Sequence, residues 1–368
     1  MEIAVLGGAG GIGRALVRDL LEHSDVRVRI VDANKLAARK FADGLGDRVR
    51  VAVADAARPR TLLRALDGVQ AAVSCIGPFY RFGVTVARAI LDAGISGVDI
   101  CDDYAPVRGL LALDEVAKTR KVVYVTGVGW SPGLTNMLAR RVCASFDRVR
   151  QVQVRWAAGS GDYRGPAALK HLLFTSTGDV PTFRAGTVVR VEAWSEPELV
   201  EFPPPIGTCE VAHCGHPEPL TLPEHLKAQE VTVKGGLVPR WNNRAVRWAV
   251  RLGLTKDDRS IEKTARLINR FGKVFLLGGG RHVGRSGALV EVVGTRQGAW
   301  RRVRASVVDR LARLTALPAA VAVLAVARGQ VKEPGLYPPE ACLDPGAFFS
   351  ELAIRGIVVE EEESSAGE

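Results

Sequence analysis

A short glycine-rich segment near the start of the chain constrains the fold more than any other feature. An apolar run, Ile3–Leu6, leads into the residues Gly-Gly-Ala-Gly-Gly-Ile-Gly. Within them Gly8, Gly10 and Gly13 form a G-x-G-x-x-G pattern, and a helical pattern and a second apolar run follow. A strand, this turn, a helix and a second strand are the context in which the pattern predicts a dinucleotide site.

Each residue of this segment has a separate physical task. Gly8 permits the tight turn, Gly10 lets a pyrophosphate approach the backbone, and Gly13 lets the helix pack closely on the strand. Gly11 and Ile12 open the helix, where free N–H groups and the positive end of the helix dipole favour phosphate. All five are therefore predicted cofactor contacts.

Asp32 ends the second apolar run, where a carboxylate would accept hydrogen bonds from the hydroxyls of the adenine ribose. That carboxylate favours NAD over NADP, because it repels a 2′-phosphate, although Lys35 or Arg14 could counter the repulsion. Asp55, at the end of the third run, is either an adenine contact or a helix N-cap. The expected cofactor is NAD, with NADP as the alternative.

The distribution of apolar runs predicts an α/β protein. Residues 1–130 alternate short apolar runs with helical stretches, among them Gly83–Ala93 and Pro106–Arg120, which is typical of a Rossmann doubly wound parallel sheet. Residues 131–315, interrupted by Pro and Gly clusters, indicate an α+β substrate domain with a largely antiparallel sheet. Residues 316–368 are expected to pack back on the Rossmann domain.

Composition excludes several classes of protein. With 47% hydrophobic and 24% charged residues, the chain is not disordered, collagenous or a coiled coil. It has no apolar run long enough for a membrane span and no signal-peptide pattern, and its six cysteines are scattered, so we expect a cytoplasmic protein with reduced thiols. The net charge of +10 is scattered apart from Arg301–Arg304, and no nucleic-acid-reading module accompanies it.

Catalytic candidates follow the fourth and fifth runs, because open α/β sheets bind ligands at the carboxyl ends of their strands. Tyr80 follows the fourth run, and Asp99, Asp102 and Asp103 end or follow the fifth. A carboxylate could serve as base in amine oxidation, and crowding of two neighbouring carboxylates can raise one pKa. Each aspartate could instead cap the helix predicted over Pro106–Arg120.

Substrate candidates come after the sixth run and from the second domain: Trp130, Pro132, Asn136, Lys170, His171 and His216. Trp130 could equally be a core residue. An amino-acid carboxylate would pair with a cation, for which the candidates are Arg155, Arg164, Lys170, Lys234 and Arg240. Two cysteines and two histidines within eight residues, Cys209, His213, Cys214 and His216, match no standard zinc spacing, so no metal is predicted.

Several motifs together make the chain recognisable. It resembles the saccharopine dehydrogenase (saccharopine reductase-like) family, to which lysine 6-dehydrogenase is similar. The matching segments are Cys75–Tyr80, Asp99 with Asp102 and Asp103, Ser131–Asn136, and Leu336–Glu340 followed by Phe348 and Gly356.

The resemblance implies a Rossmann domain, a substrate domain that often dimerises, and hydride transfer at a C–N bond. It also implies that Ile76, Gly77 and Pro78 lie beside the nicotinamide, and that Asp99 matches an aspartate of lysine 6-dehydrogenase-like sequences. The lysine that serves some saccharopine reductases near this segment has no counterpart. Arg81 lies nearby, but a permanently charged guanidinium is a poor base.

We therefore expect an NAD(P)-dependent oxidoreductase of amino-acid metabolism, a homodimer, acting on a small amino acid, imine or opine-like substrate. One alternative is a trans-acting enoyl reductase-like enzyme that reduces C=C bonds. Another is a non-catalytic dinucleotide-binding sensor. Neither nucleic acid nor a membrane span is expected.

Overall fold

The structure is a computed structural model that describes residues 1–159, 162, 166–275 and 284–366. The chain divides into two compact units. The first consists of Met1–Leu134 and Ala312–Arg355, and the second of Thr135–Leu311 and the residues from Gly356 onward. Each unit is therefore built from two separate stretches of chain.

Strands and helices alternate along the first 125 residues. Their bounds are β1 Glu2–Leu6, α1 Gly11–His23, β2 Arg27–Asp32, α2 Lys35–Ala42, β3 Val49–Val53, α3 Pro59–Ala65, β4 Ala71–Ser74, α4 Phe79–Asp92, β5 Ser96–Asp99, α5 Val107–Leu111, α6 Asp114–Arg120 and β6 Val123–Val125.

Longer strands dominate the middle of the chain. The elements are α7 Leu134–Cys143, β7 Arg148–Gly159, α8 Pro166–Thr175, β8 Asp179–Arg184, β9 Thr187–Glu192, β10 Glu198–Phe202, β11 Gly207–His213, α9 Glu218–Leu226, β12 Glu230–Val238, α10 Trp241–Arg251, α11 Asp258–Phe275, β13 Ser286–Arg296 and β14 Ala299–Asp309. The last part of the chain contains α12 Leu311–Ala327, β15 Gly335–Tyr337, α13 Pro339–Cys342, α14 Pro345–Ile354 and β16 Glu360–Ser365.

The first unit contains a parallel sheet of seven described strands in the order β15-β6-β5-β4-β1-β2-β3. Strand β1 lies between β2 and β4, so the strand order reverses beside it. The predicted Rossmann doubly wound sheet is confirmed. Ligands of such sheets bind at this reversal, outside the carboxyl ends of the strands.

The second unit contains a mixed, largely antiparallel sheet, as expected. Its path runs β10-β11-β12-β7-β13-β14-β16, and β8 pairs with both β12 and β9. Strands β12 and β7 are parallel, whereas the other described pairs are antiparallel. A core cluster that includes Ala157, Phe202, Val211 and Leu289 joins four of its strands.

The end of the chain departs from the expected division. Residues 316–368 were all expected on the first domain, but β16 adds to the edge of the second sheet by pairing with β14. Charge complementarity accounts for this pairing. Glu363 contacts Arg296 and Arg301 at 2.9 and 3.6 Å, and Glu361 contacts Arg141 at 3.0 Å. The acidic residues of β16 thus partly neutralise the basic segment Arg301–Arg304.

Two helices have different bounds from those predicted. The stretch Pro106–Arg120 is two helices, α5 and α6. Helix α6 starts at Asp114, whose carboxylate accepts the N–H of Leu336 on β15 at 2.8 Å. Helix α4 starts at Phe79 rather than Gly83, directly after Pro78. Among the described residues, no helix is both long and apolar enough to cross a membrane.

Candidate dinucleotide and active site

The glycine turn between β1 and α1 is closed by backbone contacts. Gly7 adopts a left-handed φ of +74° and donates its N–H to the carbonyl of Val31 on β2 at 2.8 Å. A Cβ added at Gly13 would lie 2.3 Å from the carbonyl oxygen of Gly7, and one at Gly8 would lie 2.9 Å from that of Val5. Only glycine therefore fits at positions 8 and 13 without movement of the backbone.

The first turn of α1 fits a dinucleotide pyrophosphate. Gly10 is the N-cap and supplies no side-chain cap, and Gly10 and Gly11 are both exposed. Ile12 is half-buried beside them. A helix of 13 residues with an uncapped, glycine-lined N-terminus offers N–H groups and a positive dipole end to a phosphate.

Asp32 lies directly against the glycine turn. Its Oδ2 accepts the N–H of Ala9 at 3.0 Å, and its Oδ1 accepts that of Asn34 at 2.9 Å. Arg14 lies beside it: its Nε donates to the carbonyl of Ala9 at 2.7 Å, and its guanidinium stacks on Phe41, 4.7 Å from the ring centre. Asp32, at the end of β2, and Arg14, on α1, thus flank the glycine turn with one carboxylate and one guanidinium.

Asp55 follows β3 and engages its own turn. Its Oδ1 accepts the N–H of Ala57 at 2.9 Å, and its backbone N–H donates to the hydroxyl of Thr61 at 2.9 Å. This local hydrogen bonding is that of an Asx turn before α3. The adenine contact of Asp55 stays a prediction.

The end of β4 lies against the glycine turn from the other side. A Cβ on Gly7 would be 3.0 Å from the carbonyl oxygen of Cys75. Burial raises the pKa of the Cys75 thiol to about 12, with the Asp99 carboxylate adding to the effect. Ile76 follows half-buried, and a cis peptide joins Gly77 to Pro78 before α4. The segment that the resemblance placed beside the nicotinamide therefore adjoins the turn.

Asp103 contacts the start of α4. Its side chain is fully buried, and its Oδ2 accepts the backbone N–H of Tyr80 at 2.8 Å. Pro78, at the N-cap, has no side-chain acceptor, so Asp103 supplies one from another part of the chain. Asp102, its neighbour, is half-buried. The alternative interpretation made Asp103 a cap for the helix predicted over 106–120. In the structure Asp103 instead accepts an N–H at the start of α4.

Asp99 is fully buried in a network of hydrogen-bond donors. Its Oδ1 accepts the N–H groups of Cys101 and Gly127 at 2.9 and 2.8 Å. The Thr126 hydroxyl donates to both of its oxygens at 3.0 and 3.1 Å, and that of Tyr124 donates to Oδ2 at 3.0 Å. Burial raises the pKa of Asp99, although these hydrogen bonds oppose the rise. Asp99 thus joins the ends of β5 and β6.

Tyr124 and Thr126 were absent from the sequence-based candidates. Thr126 ends the sixth apolar run, so its position at a strand end was the available signal. Tyr124 offered none, because an aromatic residue within a strand is ordinarily core, and it is fully buried.

Trp130 and Pro132 lie in the turn that follows β6, and both are buried. The Pro132 ring packs beside Gly127, where a Cβ would approach it to 3.1 Å. Pro132 thus supports the turn whose N–H binds Asp99. Both residues stay predicted substrate contacts.

Within the second unit, three of the predicted substrate residues occupy buried polar surroundings. The rings of His171 and His216 meet edge to face with centres 5.3 Å apart, and His216 also lies 5.5 Å from Trp156. His216 Nδ1 is 3.9 Å from Glu218, a fully buried carboxylate that accepts the hydroxyl of Thr135 at 3.0 Å. Glu218 was not among the sequence-based candidates, although it follows His216 by only two residues.

Asn136, the third, follows Thr135 on α7. Its amide nitrogen lies 3.4 Å from the hydroxyl of Thr221 on α9. Lys170, by contrast, forms an ion pair with Glu262 on α11. The ammonium group of Lys170 is thus already paired with a carboxylate of the protein. His171, one residue later, is buried.

The other cationic candidates are also engaged. Arg155 contacts Glu198 and Glu291, Lys234 contacts the carbonyl of Glu196, and Arg240 contacts Glu210. Arg164 lies outside the described residues. These pairings hold the second sheet together, so they give no independent sign of a substrate carboxylate.

The two cysteines and two histidines of residues 209–216 lie in different surroundings. Cys209 belongs to the apolar core cluster of the second unit. His213 Nε2 lies 3.1 Å from both Glu196 and Arg184, and burial lowers its pKa. Burial raises the pKa of the Cys214 thiol well above its ordinary value.

Comparison with known proteins agrees with this geometry. Residues 3–125 match the family model described as the saccharopine dehydrogenase NADP binding domain. The apo structure of saccharopine dehydrogenase (L-Glu forming) from Saccharomyces cerevisiae is similar to this chain, with a TM-score of 0.72 and 15% identity. That match covers 99% of this chain and 100% of the yeast chain, and it shows a shared fold.

Two weaker likenesses also span the chain. One is to GenD2 from gentamicin A biosynthesis in complex with NAD, with a TM-score of 0.45, 14% identity and coverage of 100% and 97%. The other is to a dehydrogenase from Clostridium difficile, with a TM-score of 0.42, 9% identity and coverage of 97% and 99%. The family model and the glycine turn together support the binding of a nicotinamide dinucleotide.

Proposed function

We propose, from the premise that this chain is saccharopine dehydrogenase-like, that it is an NAD(P)-dependent oxidoreductase acting at a C–N bond of an amino acid, imine or opine-like substrate. One observation carries the proposal. The sheet edge with the glycine turn also holds the carboxylates of Asp102 and Asp103, the latter oriented by the Tyr80 N–H. A carboxylate beside a hydride-transfer site can act as the base that takes the nitrogen proton when an amine is oxidised.

When bound, the nicotinamide supplies the hydride acceptor or donor. The chain's own task is to hold the dinucleotide and to move the nitrogen proton. Gly8, Gly10 and Gly13 leave room for the pyrophosphate at the start of α1. We assign proton transfer to Asp102, the half-buried member of the pair, and its orientation to Asp103 and the start of α4.

We assign Asp99 a positioning role in place of the expected catalytic one. Its four donors leave it joined to β6 and the following turn. Loss of this carboxylate would release Gly127 and the Pro132 turn.

Three finer features are part of the proposal. NAD is preferred over NADP because Asp32 lies against the glycine turn. His171, His216 and Asn136 are the proposed substrate contacts of the second unit. A homodimer in the cytoplasm is the expected form.

The test begins with thermal shift of the pure protein by NAD(H) and NADP(H). A screen of amino acids, amine and keto-acid mixtures, and enoyl esters then follows the nicotinamide absorbance. We expect turnover of an amino acid or of an imine-forming mixture. Turnover of enoyl esters alone would favour C=C reduction, and cofactor binding without any turnover would favour a sensor. Either result contradicts the C–N proposal.

Asp102→Asn provides the site-specific arm of this test. It should abolish turnover while leaving cofactor affinity and melting temperature unchanged. The matched control is Asp92→Asn, which removes a partly exposed partner of Arg88 at the far end of α4 and should leave turnover unchanged. Equal rates in both variants would remove Asp102 from the mechanism.

A further inference from the structure

Helix α10 presents an unusual exposed face. Trp241, Arg244, Trp248 and Arg251 recur at intervals of three and four residues, which places them on one side of the helix, and Leu252 directly follows its last residue. Trp248 is 60% exposed and Leu252 67%. The opposite side is buried through Asn242, Asn243 and Val246. We call the first set the α10 face.

Exposed apolar side chains also occur in the next turn and on α11. Leu254, in the turn, and Leu267, on α11, are both exposed. The turn is fixed to α11 because the Thr264 hydroxyl donates to the carbonyl of Leu254 at 2.7 Å. Large exposed apolar side chains that share one side of a helix, as those of α10 do, mark an interaction surface rather than ordinary surface composition.

The charge of the α10 face is uniformly positive. Helix α10 contains no acidic residue, and Arg247 is turned towards Glu210, 3.5 Å away. Arg244 and Arg251 are exposed and form no ion pair within the part of the chain that the structure describes. Arg251 instead lies over the ring of Trp248, 6.0 Å from its centre. The partner that fits is anionic and has an apolar layer.

We propose that the α10 face docks onto the surface of an anionic membrane. Tryptophan favours the boundary between lipid headgroups and acyl chains, and leucine would enter the outer acyl layer. Arginine extends its apolar stem along that layer and keeps its charge among anionic headgroups. A second copy of this chain fits less well, because two copies of the face would bring like charges together. The helix lies on the membrane and does not cross it.

The test uses the full-length protein and two kinds of vesicle. One is phosphatidylcholine alone, and the other contains about a third phosphatidylglycerol to give an anionic surface. We expect co-sedimentation with the anionic vesicles only, decreasing as salt screens the charges. Trp248→Ala should reduce the blue shift of tryptophan fluorescence on binding, with the remainder coming from Trp241 on the same face.

Leu252→Glu has a matched control in Leu199→Glu on β10, because Leu199 is similarly exposed, at 60%. We expect Leu252→Glu to weaken vesicle binding about tenfold or more and Leu199→Glu to leave it unchanged. Equal effects of the two variants, or no binding by the parent protein, would overturn the proposal. Binding of a single-stranded oligonucleotide in place of vesicles would do the same, as would a dimer that only Leu252→Glu dissociates.

Discussion

Arg355 and Asp19 form a buried ion pair although they are 336 positions apart, with Nε 3.0 Å from Oδ2. Asp19 lies on α1, the helix that begins at the glycine turn, and Arg355 directly follows α14. Arg355 also donates to Glu351, and its carbonyl accepts from Arg313. The pair therefore attaches the C-terminal stretch of the first unit to the dinucleotide-binding helix.

Arg355→Met should lower the free energy of unfolding by about 3–5 kcal/mol, because it leaves the Asp19 carboxylate buried without this partner. Burial already raises the pKa of Asp19, and Arg355 opposes that rise. Urea denaturation measures the loss. The control Arg58→Met, whose partner Asp55 is exposed, should cost less than about 1 kcal/mol. Similar losses in both variants would contradict an anchoring role.

Gly13→Ala should abolish dinucleotide binding, because its Cβ would lie 2.3 Å from the Gly7 carbonyl oxygen and would push α1 away from the turn. Gly83→Ala on α4 is the control, since its Cβ would meet Phe79 at an ordinary 3.5 Å. Fluorescence titration with NADH and NADPH measures both variants. Retained binding in Gly13→Ala would contradict the assignment of this turn.

Asp32→Ala should weaken NAD binding more than NADP binding, because it removes the acceptor for the ribose hydroxyls and the repulsion of a 2′-phosphate. Both affinities should also fall, since the Ala9 N–H loses its acceptor. Titration of both cofactors into the variant gives the ratio. An equal loss for the two would disprove the NAD preference.

Asp103→Ala should destabilise the protein by about 0.5–2 kcal/mol, because the Tyr80 N–H at the start of α4 loses its acceptor. Asp103→Asn retains an acceptor oxygen and should therefore fold better, yet turnover should fall in both variants. Asp344→Ala is the matched control: it removes the N-cap of α14, which accepts from Ala347, and should affect stability alone. Full turnover in Asp103→Asn would exclude a role for the charge.

The stability of the second unit should decrease as the pH falls below about 6.5. Burial lowers the pKa of His213 from that ordinary value, so the unfolded chain binds its proton more readily than the folded chain. The stabilisation is present above the unfolded pKa and is lost as the pH decreases through the folded one. Thermal unfolding between about pH 5 and 8 measures the slope. His213→Gln should flatten it, whereas His225→Gln, on the exposed side of α9, should not.

Local patterns in the sequence predicted the first sheet and the glycine turn. Strand β1 and helix α1 lie where the sequence predicts them, because a short buried run followed by a glycine turn and an amphipathic stretch leaves few alternatives. The break between α5 and α6 was not predicted, and the contact of Asp114, at the start of α6, with Leu336 could not be either, since the two residues are more than two hundred positions apart.

The sequence by itself determined the class of fold, the dinucleotide turn and the set of acidic residues at the strand ends. Only the tertiary structure decided which groups each of these acidic residues contacts. It surrounded Asp99 with donors from β6 and from the residues that follow it, brought Asp103 to the start of α4, and paired Asp19 with Arg355. The physical reason is range: helix and strand periods follow from neighbouring residues, whereas these contacts exist only after distant segments have packed together.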